Sequence, residues 1–481
     1  MGRAERGLSS RPTPDAAPDG RRALWPDNGD MPAAAPSDRA SSPNANGLHR
    51  IVVVGGGAGG LELVTRLGNT LGKRGRAHVT LIDKARTHFW KPHLHEIAAG
   101  SIDINNHAID YLAQSHWHGF RYRLGAMAGL DRKRREVHVA PVLDDEGTPI
   151  TPPYTRAYDT LVIATGSYTN DFGTPGVQEH AIALETPEEA ERFHVRMVNA
   201  CIRAHVQGTA AGPRQVTVAI VGAGATGVEL AAELRKAFRL LVSYGLDQID
   251  PERDIQIHLI EAGPRILPAL PERIANAAAD LLRSLGVQLR CGTKVSEVRA
   301  DGVELAGGEF VPAQLVVWAA GVKAPSWLRE LDGLETNGIN QLVVRPTLQT
   351  TRDDTIFAIG DCAAAPWLGH SGNVPPRAQA AHQQASHLAK QLPRHLKGLP
   401  LKPWKYRDFG SLVSLGEHST VGNLMGSLVG GNLWVEGLFA RAMYLSLYKL
   451  HELAIHGWWR TSLGTASRLL TSRTEPRVKL H

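Results

Sequence analysis

The chain has 481 residues, room for two or three packed domains and too many for one small module. Apolar residues at 43% and charged residues at 21% are globular proportions, and a formal net charge of +6, with no like-charge block beyond Arg132 to Arg135, gives no reason to expect nucleic acid. The three cysteines, Cys201, Cys291 and Cys362, are too dispersed for a disulfide framework or a CxxC pair, and no apolar run approaches the ~18 residues of a spanning helix, so any membrane contact is expected to be peripheral.

Residues 1 to 48 are dominated by Ala, Pro, Ser, Gly, Asp and Arg without hydrophobic period, and are expected to be a disordered extension. Acids at Glu5, Asp15, Asp19, Asp27, Asp30 and Asp38 argue against an organellar transit peptide, and Met31 is an alternative start. Order is expected from Ile51 to Val54, a β-branched run that reads as a buried parallel strand and is followed at once by glycines. A helix from Gly59 to Leu71 and a strand from His78 to Ile82, ending in Asp83, complete a strand, glycine loop, helix, strand, acid unit. The unit recurs with Val216 to Val221, Gly222 to Gly227, Val228 to Leu240, and Gln256 to Ile260 ending in Glu261.

Each copy closes alike, with LVIATG at Leu161 to Gly166 and LVVWAAG at Leu315 to Gly321. Short alternating stretches between Phe120 and Tyr158 predict an antiparallel β insertion in the first copy. Thr186, Pro187, Glu188 and Glu189 make a capping box that opens a helix to about Val206. After Gly321 the chain is expected to return to the first copy, ending at Ile356 to Ile359 and Gly360-Asp361. The fold class is α/β, with two Rossmann-like dinucleotide-binding domains and a C-terminal amphipathic helical region.

Gly55, Gly57 and Gly60 form GxGxxG: the first glycine permits the turn, the second lets a pyrophosphate approach, and the third lets the helix pack closely. The helix N-terminus then faces the phosphates. Gly222, Gly224 and Gly227 repeat the motif. Asp83 and Glu261 stand where a carboxylate bonds a ribose 2′-hydroxyl and repels a 2′-phosphate, which favours NADH over NADPH in the second copy, with Arg265 as a nearby counter-signal. Two dinucleotide sites in one chain point to a redox enzyme in which FAD faces a nicotinamide. The histidines around His88 to His118 carry no CxxC or HExxH pattern, so no metal is expected. Cys362 reads as a small buried side chain.

These stretches, together with HFWKPHLHEIAAGS, LIEAGPRILPALP, GINQLVVRPTLQTT, IFAIGDCA and VPPRAQAAHQQA, make the chain resemble the type II NADH:quinone oxidoreductases, single-subunit bacterial respiratory enzymes that pump no protons. The likeness runs over about residues 49 to 481. It implies FAD in the first fold and NADH in the second, with FAD-binding segments over 49–170 and 322–400, an NADH-binding segment over 171–321 and a membrane-associating region over 401–481. Asp83, Lys91, Thr165, Gly166, Asp361 and Ala378 would join the first glycine loop around FAD, and Gly321 would join Glu261 at NADH. The AQxAxQ signature implies that Gln379 and Gln383, one turn apart, offer amides to a quinone, where the residues alone also read as ordinary surface amides. Glu229 matches a family glutamate near the nicotinamide and flavin, or else stabilises a helix start. His93 departs from the expected KPLLHE and puts the packing there in question.

Phe439, Met443, Leu447, Leu450 and Ala454 share one helical face, opposite Arg441, Lys449, Glu452 and His456. Trp459, Leu463, Ala466 and Leu470 form a second face among Arg460, Arg468, Arg473, Arg477 and Lys479. Such a terminus suits an anionic lipid surface or a dimer interface. The resemblance implies a membrane quinone, ubiquinone being expected, a homodimer, and the cytoplasmic side of the bacterial inner membrane. A flavin-bearing redox sensor and a soluble ferredoxin or thiol reductase are the alternatives.

Overall fold

The computed structural model describes residues 47–206, 215–414, 420–424, 433–436, 438–471 and 478, and the side chains among them except 411–412, 414–447 and 468–471. The expected extension over 1 to 48 lies outside the described residues but for its last two. Phe439, Arg441, Met443, Leu447, Arg468 and Leu470 have no described side chains, and Arg473, Arg477 and Lys479 lie outside altogether.

A six-stranded sheet carries the first glycine loop. Its order is Gln349–Thr350, Asp353–Ala358, Thr160–Ile163, His49–Val54, Ala77–Asp83, Arg121–Leu124, parallel except for the first pair. Ile51 to Val54 and Leu161 to Ile163 are all buried, as strands covered on both faces must be. A four-stranded parallel sheet, ordered Val287–Cys291, Ile255–Glu261, Val216–Val221, Leu315–Trp318, carries the second loop. The first copy has its antiparallel insertion, Met127–Asp131, Glu136–Val139 and Tyr154–Ala157. The second copy has one at the same place, Val295–Arg299, Gly302–Leu305 and Phe310–Pro312, which the sequence reading missed.

The first loop helix, Ala58–Leu67, stops short of the expected Leu71 and passes into a wider π turn over Gly68–Gly72. The cause is close backbone approach, since a Cβ on Gly68 would strike the His118 carbonyl and one on Gly72 the Gly119 carbonyl. Helix Pro187–Val206 begins as expected, with Thr186 Oγ1 accepting from Glu189 N at 3.2 Å. Glu189 reaches back one residue further than a standard capping box and accepts from Glu185 N at 2.9 Å.

The two segments that pass between the sheets run side by side, Tyr168–Thr169 pairing antiparallel with Val322–Lys323. The Lys323 ammonium lies 2.8 Å from Asp171, whose carboxyl it holds down at about 2. Behind the second sheet the fully buried Arg235 donates to the carbonyls of Pro251, Ile255 and Gly286 at 2.6, 3.2 and 3.0 Å, so its charge is met by peptide dipoles. Three antiparallel strands, Ser411–Ser414, Thr420–Leu424 and Leu433–Glu436, precede the terminal helical region Leu438–Thr471, which breaks at Gly457 (φ 77°, ψ 168°). Among the described residues no helix is long and apolar enough to cross a membrane.

Candidate functional site

The carboxyl ends of neighbouring parallel strands form the walls of two clefts, the usual ligand position in open α/β sheets. At the first, Gly55 turns at φ 98° and its N–H donates to Ile82 O at 2.8 Å; at the second, Gly222 turns at φ 101° and donates to Ile260 O at 2.8 Å. A Cβ on Gly60 would run into the Gly55 carbonyl, and one on Gly227 into the Gly222 carbonyl, so each helix can start this close to its strand only with glycine there. Gly57 and Gly224 instead face open space, with nothing within 4 Å of a built Cβ. They cap helices Ala58–Leu67 and Ala225–Ser243 in extended backbone, with no side-chain cap and no acid in the first turn. Unspent N–H groups and the positive helix end therefore face open space at Gly57 and Gly224, the geometry that takes a pyrophosphate.

Asp83 and Glu261 do the same work in the two copies. Asp83 accepts from Gly56 N at 2.5 Å and Ala85 N at 2.7 Å; Glu261 accepts from Ala223 N and Gly263 N, both at 2.8 Å. Burial pushes the Asp83 carboxyl up, against the two backbone donors that favour its anion. A carboxylate has about four lone-pair sites, so each retains capacity for a hydroxyl while tying its glycine loop to the strand end.

The first cleft has two further walls. Ala164 to Gly166 lies against Gly55, with Gly166 at φ 74° facing open space and Thr165 Oγ1 buried without an oxygen or nitrogen partner. Lys91 Nζ donates to Ser167 O at 3.1 Å, and Ser167 Oγ to Asp361 Oδ2 at 2.9 Å. Burial raises the Asp361 carboxyl, opposed by the Ser167 hydroxyl and the Lys91 charge. The helix Ala378–His395 starts without a side-chain cap beside Gly360, whose N–H donates to Gln384 Oε1 at 2.6 Å. The expected residues Gly55, Gly57, Gly60, Asp83, Lys91, Thr165, Gly166, Asp361 and Ala378 thus belong to loops and helix starts at the carboxyl end of the first sheet, linked by the contacts above. Gly222, Gly224, Gly227, Glu261 and Gly321 lie along the carboxyl end of the second sheet, Gly321 at φ 65° against the Phe172 ring.

Glu229 sits on helix Ala225–Ser243, 7% exposed, its Oε2 3.7 Å from His95 Nδ1 on the short helix Leu94–Ala98. Beside it His93 Nδ1 lies 2.9 Å from Glu96 Oε1. Burial alone would raise Glu96, but the His93 hydrogen bond and the charges of His93, His95 and His107 bring it down to about 2. The departure at His93 therefore supplies a partner for a partly buried acid. One turn along, Glu233 accepts from Ser101 Oγ at 2.5 Å.

Gln379 and Gln383 point at the segment 407–410. Gln379 Nε2 donates to Asp408 Oδ1 and Gly410 O at 3.2 and 3.0 Å, which uses both amide hydrogens; Gln383 Nε2 donates to Arg407 O at 2.7 Å and keeps one. Among the described contacts the pair braces this segment, and only Gln383 has a free amide donor.

Sequence reasoning missed the groups that bind the terminal helix. His88 Nδ1 lies 2.9 Å from Gly56 O, and its Nε2 lies 3.0 Å from His451 Nε2. A neutral His88 that donates through Nδ1 accepts at Nε2, so His451 donates through Nε2. Tyr111 also donates to Gly56 O at 2.7 Å, Gln114 pairs with His456 at 3.1 Å, and the Tyr448 ring meets His93 edge-on at 4.8 Å. No local pattern encodes a pairing between residues 88 and 451.

The comparisons with known proteins follow this geometry. The model of the pyridine nucleotide-disulphide oxidoreductase family matches residues 49–385. A type II NADH:quinone oxidoreductase of Haemophilus influenzae is 42% identical over 447 residues, 90% of this chain and 100% of the relative. One of Staphylococcus aureus is 29% identical over 387 residues, 79% of this chain and 91% of its own. Among solved structures, that of an NDH2 from Plasmodium falciparum in complex with NADH covers 89% of this chain and 99% of that one with a TM-score of 0.74, a likeness of fold at 18% identity.

The histidine pair gives a pH dependence. Burial holds His88 down at about 4 and His451 at about 2, against an ordinary 6.5. As the pH falls below about 6.5 the released or unfolded chain binds protons first, so the docking energy declines until about pH 4, where His88 protonates in place. His88 alone accounts for up to about 3 kcal/mol over that window. The protection factors for hydrogen exchange over 448–456, each taken against the intrinsic rate at the same pH, are expected to fall from neutral pH to about pH 4.5, and less steeply in a His88→Leu, His451→Leu double variant. Equal slopes would leave the pair without a role in docking.

Proposed function

The chain belongs to the type II NADH:quinone oxidoreductases, within the pyridine nucleotide-disulphide oxidoreductase family, and from that premise we propose how its residues carry out the reaction. The enzyme transfers hydride from NADH to FAD and passes the electrons to a quinone, without pumping protons. The duplicated cradle carries this reading: two helix starts without a side-chain cap, each with its glycine loop tied by an acid, suit two dinucleotides in one chain. FAD, when bound, supplies the two-electron acceptor between the nicotinamide and the quinone.

In this reading Gly55, Gly57, Gly60 and the start of helix Ala58–Leu67 hold the FAD pyrophosphate, and Asp83 the ribose. Lys91, Thr165, Gly166, Asp361 and the start of the Ala378 helix enclose the rest. Gly222, Gly224, Gly227, Glu261 and Gly321 hold NADH, and the Glu261 carboxylate repels a 2′-phosphate. Glu229 orients the nicotinamide from between the two units. Gln379 and Gln383 position the segment 407–410 beside the quinone, and Gln383 keeps an amide hydrogen for a carbonyl. The division of the chain near residues 170, 321 and 400 belongs to the same reading. The cysteines favour it over a thiol reductase. All three are free, and burial pushes Cys201 up to about 12 and raises Cys362, so neither thiol offers an accessible thiolate.

The terminal helices suit a lipid surface, the source of a membrane quinone such as ubiquinone. The first turns its polar groups inward, with His451 and Glu452 each 3% exposed, and shows Leu450 and Leu453 outward. An ordinary surface helix does the reverse. Past the break at Gly457, Trp458, Trp459 and Leu463 are 63 to 70% exposed, and the Arg460 guanidinium lies 4.6 Å from the Trp117 ring centroid. Tryptophan with arginine at a leucine-rich face fits the interface of anionic lipid, here the cytoplasmic leaflet of a bacterial inner membrane. A homodimer is part of the reading, because a second copy covers such a face as lipid does.

Two predictions separate these assignments. Gly57→Ala is expected to purify folded but with FAD content reduced, whereas Gly224→Ala keeps FAD and raises the KM for NADH; loss of FAD in both, or in neither, contradicts the assignment of the cradles. Leu450→Glu with Leu463→Glu is expected to release the enzyme from vesicles of anionic lipid while NADH oxidation with a soluble acceptor persists. Co-sedimentation like the parent's would return this face to a contact between copies.

A further inference from the structure

The segment that follows Glu261 is held in a strained shape. Leu267 is buried in the core of the second copy with its backbone in the left-handed region, φ 48°, where a residue with a side chain stays only if its surroundings hold it there. Arg265 does the holding. Its Nη1 donates to Leu267 O at 3.2 Å, and its Nη2 donates to Pro268 O and Leu270 O at 3.1 and 2.9 Å. Leu270 N closes the turn by donating to Leu267 O at 2.9 Å. In this shape the Leu267 N–H donates to Ala223 O at 2.8 Å, while Ala223 N donates to Glu261 at 2.8 Å. Both polar groups of Ala223 are therefore pinned, within the second glycine loop, as both of Gly56 are in the first. The root of the segment is anchored separately, Gly263 O accepting from Gly292 N at 2.7 Å.

We propose that Arg265 is a positioning residue for NADH, a clip that sets the second glycine loop, and not a ligand held ready for a 2′-phosphate; this rests on the reading above of the second cleft as the NADH site. A cation just past the strand-end acid is where a 2′-phosphate would find its counter-charge. A guanidinium grips such a group end-on with one N–H from each Nη. Here both Nη2 hydrogens and one Nη1 hydrogen go to carbonyls, so the end-on pair is spent on the protein's own backbone. Three carbonyls in one turn suit rigid coplanar donors, and an ammonium on a flexible stem matches them poorly. Through Leu267 and Ala223 the clip acts on the affinity for the dinucleotide. It does not touch the reacting atoms, and the choice between NADH and NADPH is left to Glu261.

The test is binding without turnover: FAD-loaded, oxidised enzyme is titrated calorimetrically with ADP-ribose and with 2′-phospho-ADP-ribose, which lack the nicotinamide. Arg265→Lys, which keeps the charge and loses the fork, and Arg265→Met are both expected to weaken ADP-ribose about tenfold. The KM for NADH is expected to rise to match, with kcat within about twofold of the parent's. Glu261→Gln is expected to improve 2′-phospho-ADP-ribose by less than about tenfold, and Arg265→Met added to it to weaken both ligands alike. Parental affinity for ADP-ribose in Arg265→Lys overturns the clip. A gain of about a hundredfold for 2′-phospho-ADP-ribose in Glu261→Gln, abolished by Arg265→Met, shows the guanidinium gripping the phosphate and overturns the proposal as well. If Arg265→Met fails to fold, Arg265→Lys and the size of the gain in Glu261→Gln decide between the same outcomes. A parent enzyme that holds FAD and does not bind ADP-ribose overturns the assignment of the second cleft, and this proposal with it.

Discussion

The backbone at Gly56 is where the architecture converges. Its N–H donates to Asp83 and so ties the first glycine loop to the adjacent strand end; its carbonyl accepts from both Tyr111 and His88. His88 in turn accepts from His451, so one residue links the candidate FAD cradle to the helix with the outward leucines. A Cβ at position 56 would overlap the Tyr111 ring, which makes glycine a packing requirement here as well as a feature of the loop. The second copy keeps the acid-to-loop bond, from Ala223 to Glu261, and has alanine at the equivalent position. The additional constraint in the first copy is therefore the packing of Tyr111 against the loop.

Buried charge is handled in three ways, and each has a different consequence. Arg235 is met by three carbonyls and serves packing behind the second sheet. Glu96, partly buried, is drawn well below the usual carboxylate range by His93 and lies on one side of His95 with Glu229 on the other, where the helices of the two copies meet. Glu62, fully buried, is met by the partly exposed Arg66 and His382 at 2.9 and 2.5 Å, so its charge is balanced from the edge of the helix pair.

Much of this was legible in the sequence because it is local. Strand, glycine loop, helix and terminal acid follow one another without interruption in each copy, over 49–83 and 216–261, and hydrophobic period and glycine chemistry report such units directly. The return of the chain after Gly321 was legible because the closing strands repeat. What escaped reading depends on distant partners. The shortened first helix reflects the backbone at His118, the second antiparallel insertion has weak alternation, and the His88–His451 and Glu62–His382 pairs join residues hundreds of positions apart. Helical period groups Leu450 with Ala454 and Glu452 with His456 but cannot say which side meets the protein; here Tyr448, His451, Glu452 and Ile455 turn inward and Leu450 and Leu453 outward.

One chain moves electrons from NADH through FAD to quinone, and this is tested by anaerobic mixing of the purified FAD enzyme with one equivalent of NADH, followed by a second mixing with quinone. The flavin absorbance is expected to bleach fully with NADH, and much less with NADPH, and quinone is expected to restore it with formation of one quinol per flavin. A flavin that NADH does not bleach, or that stays bleached when quinone is added, would contradict it.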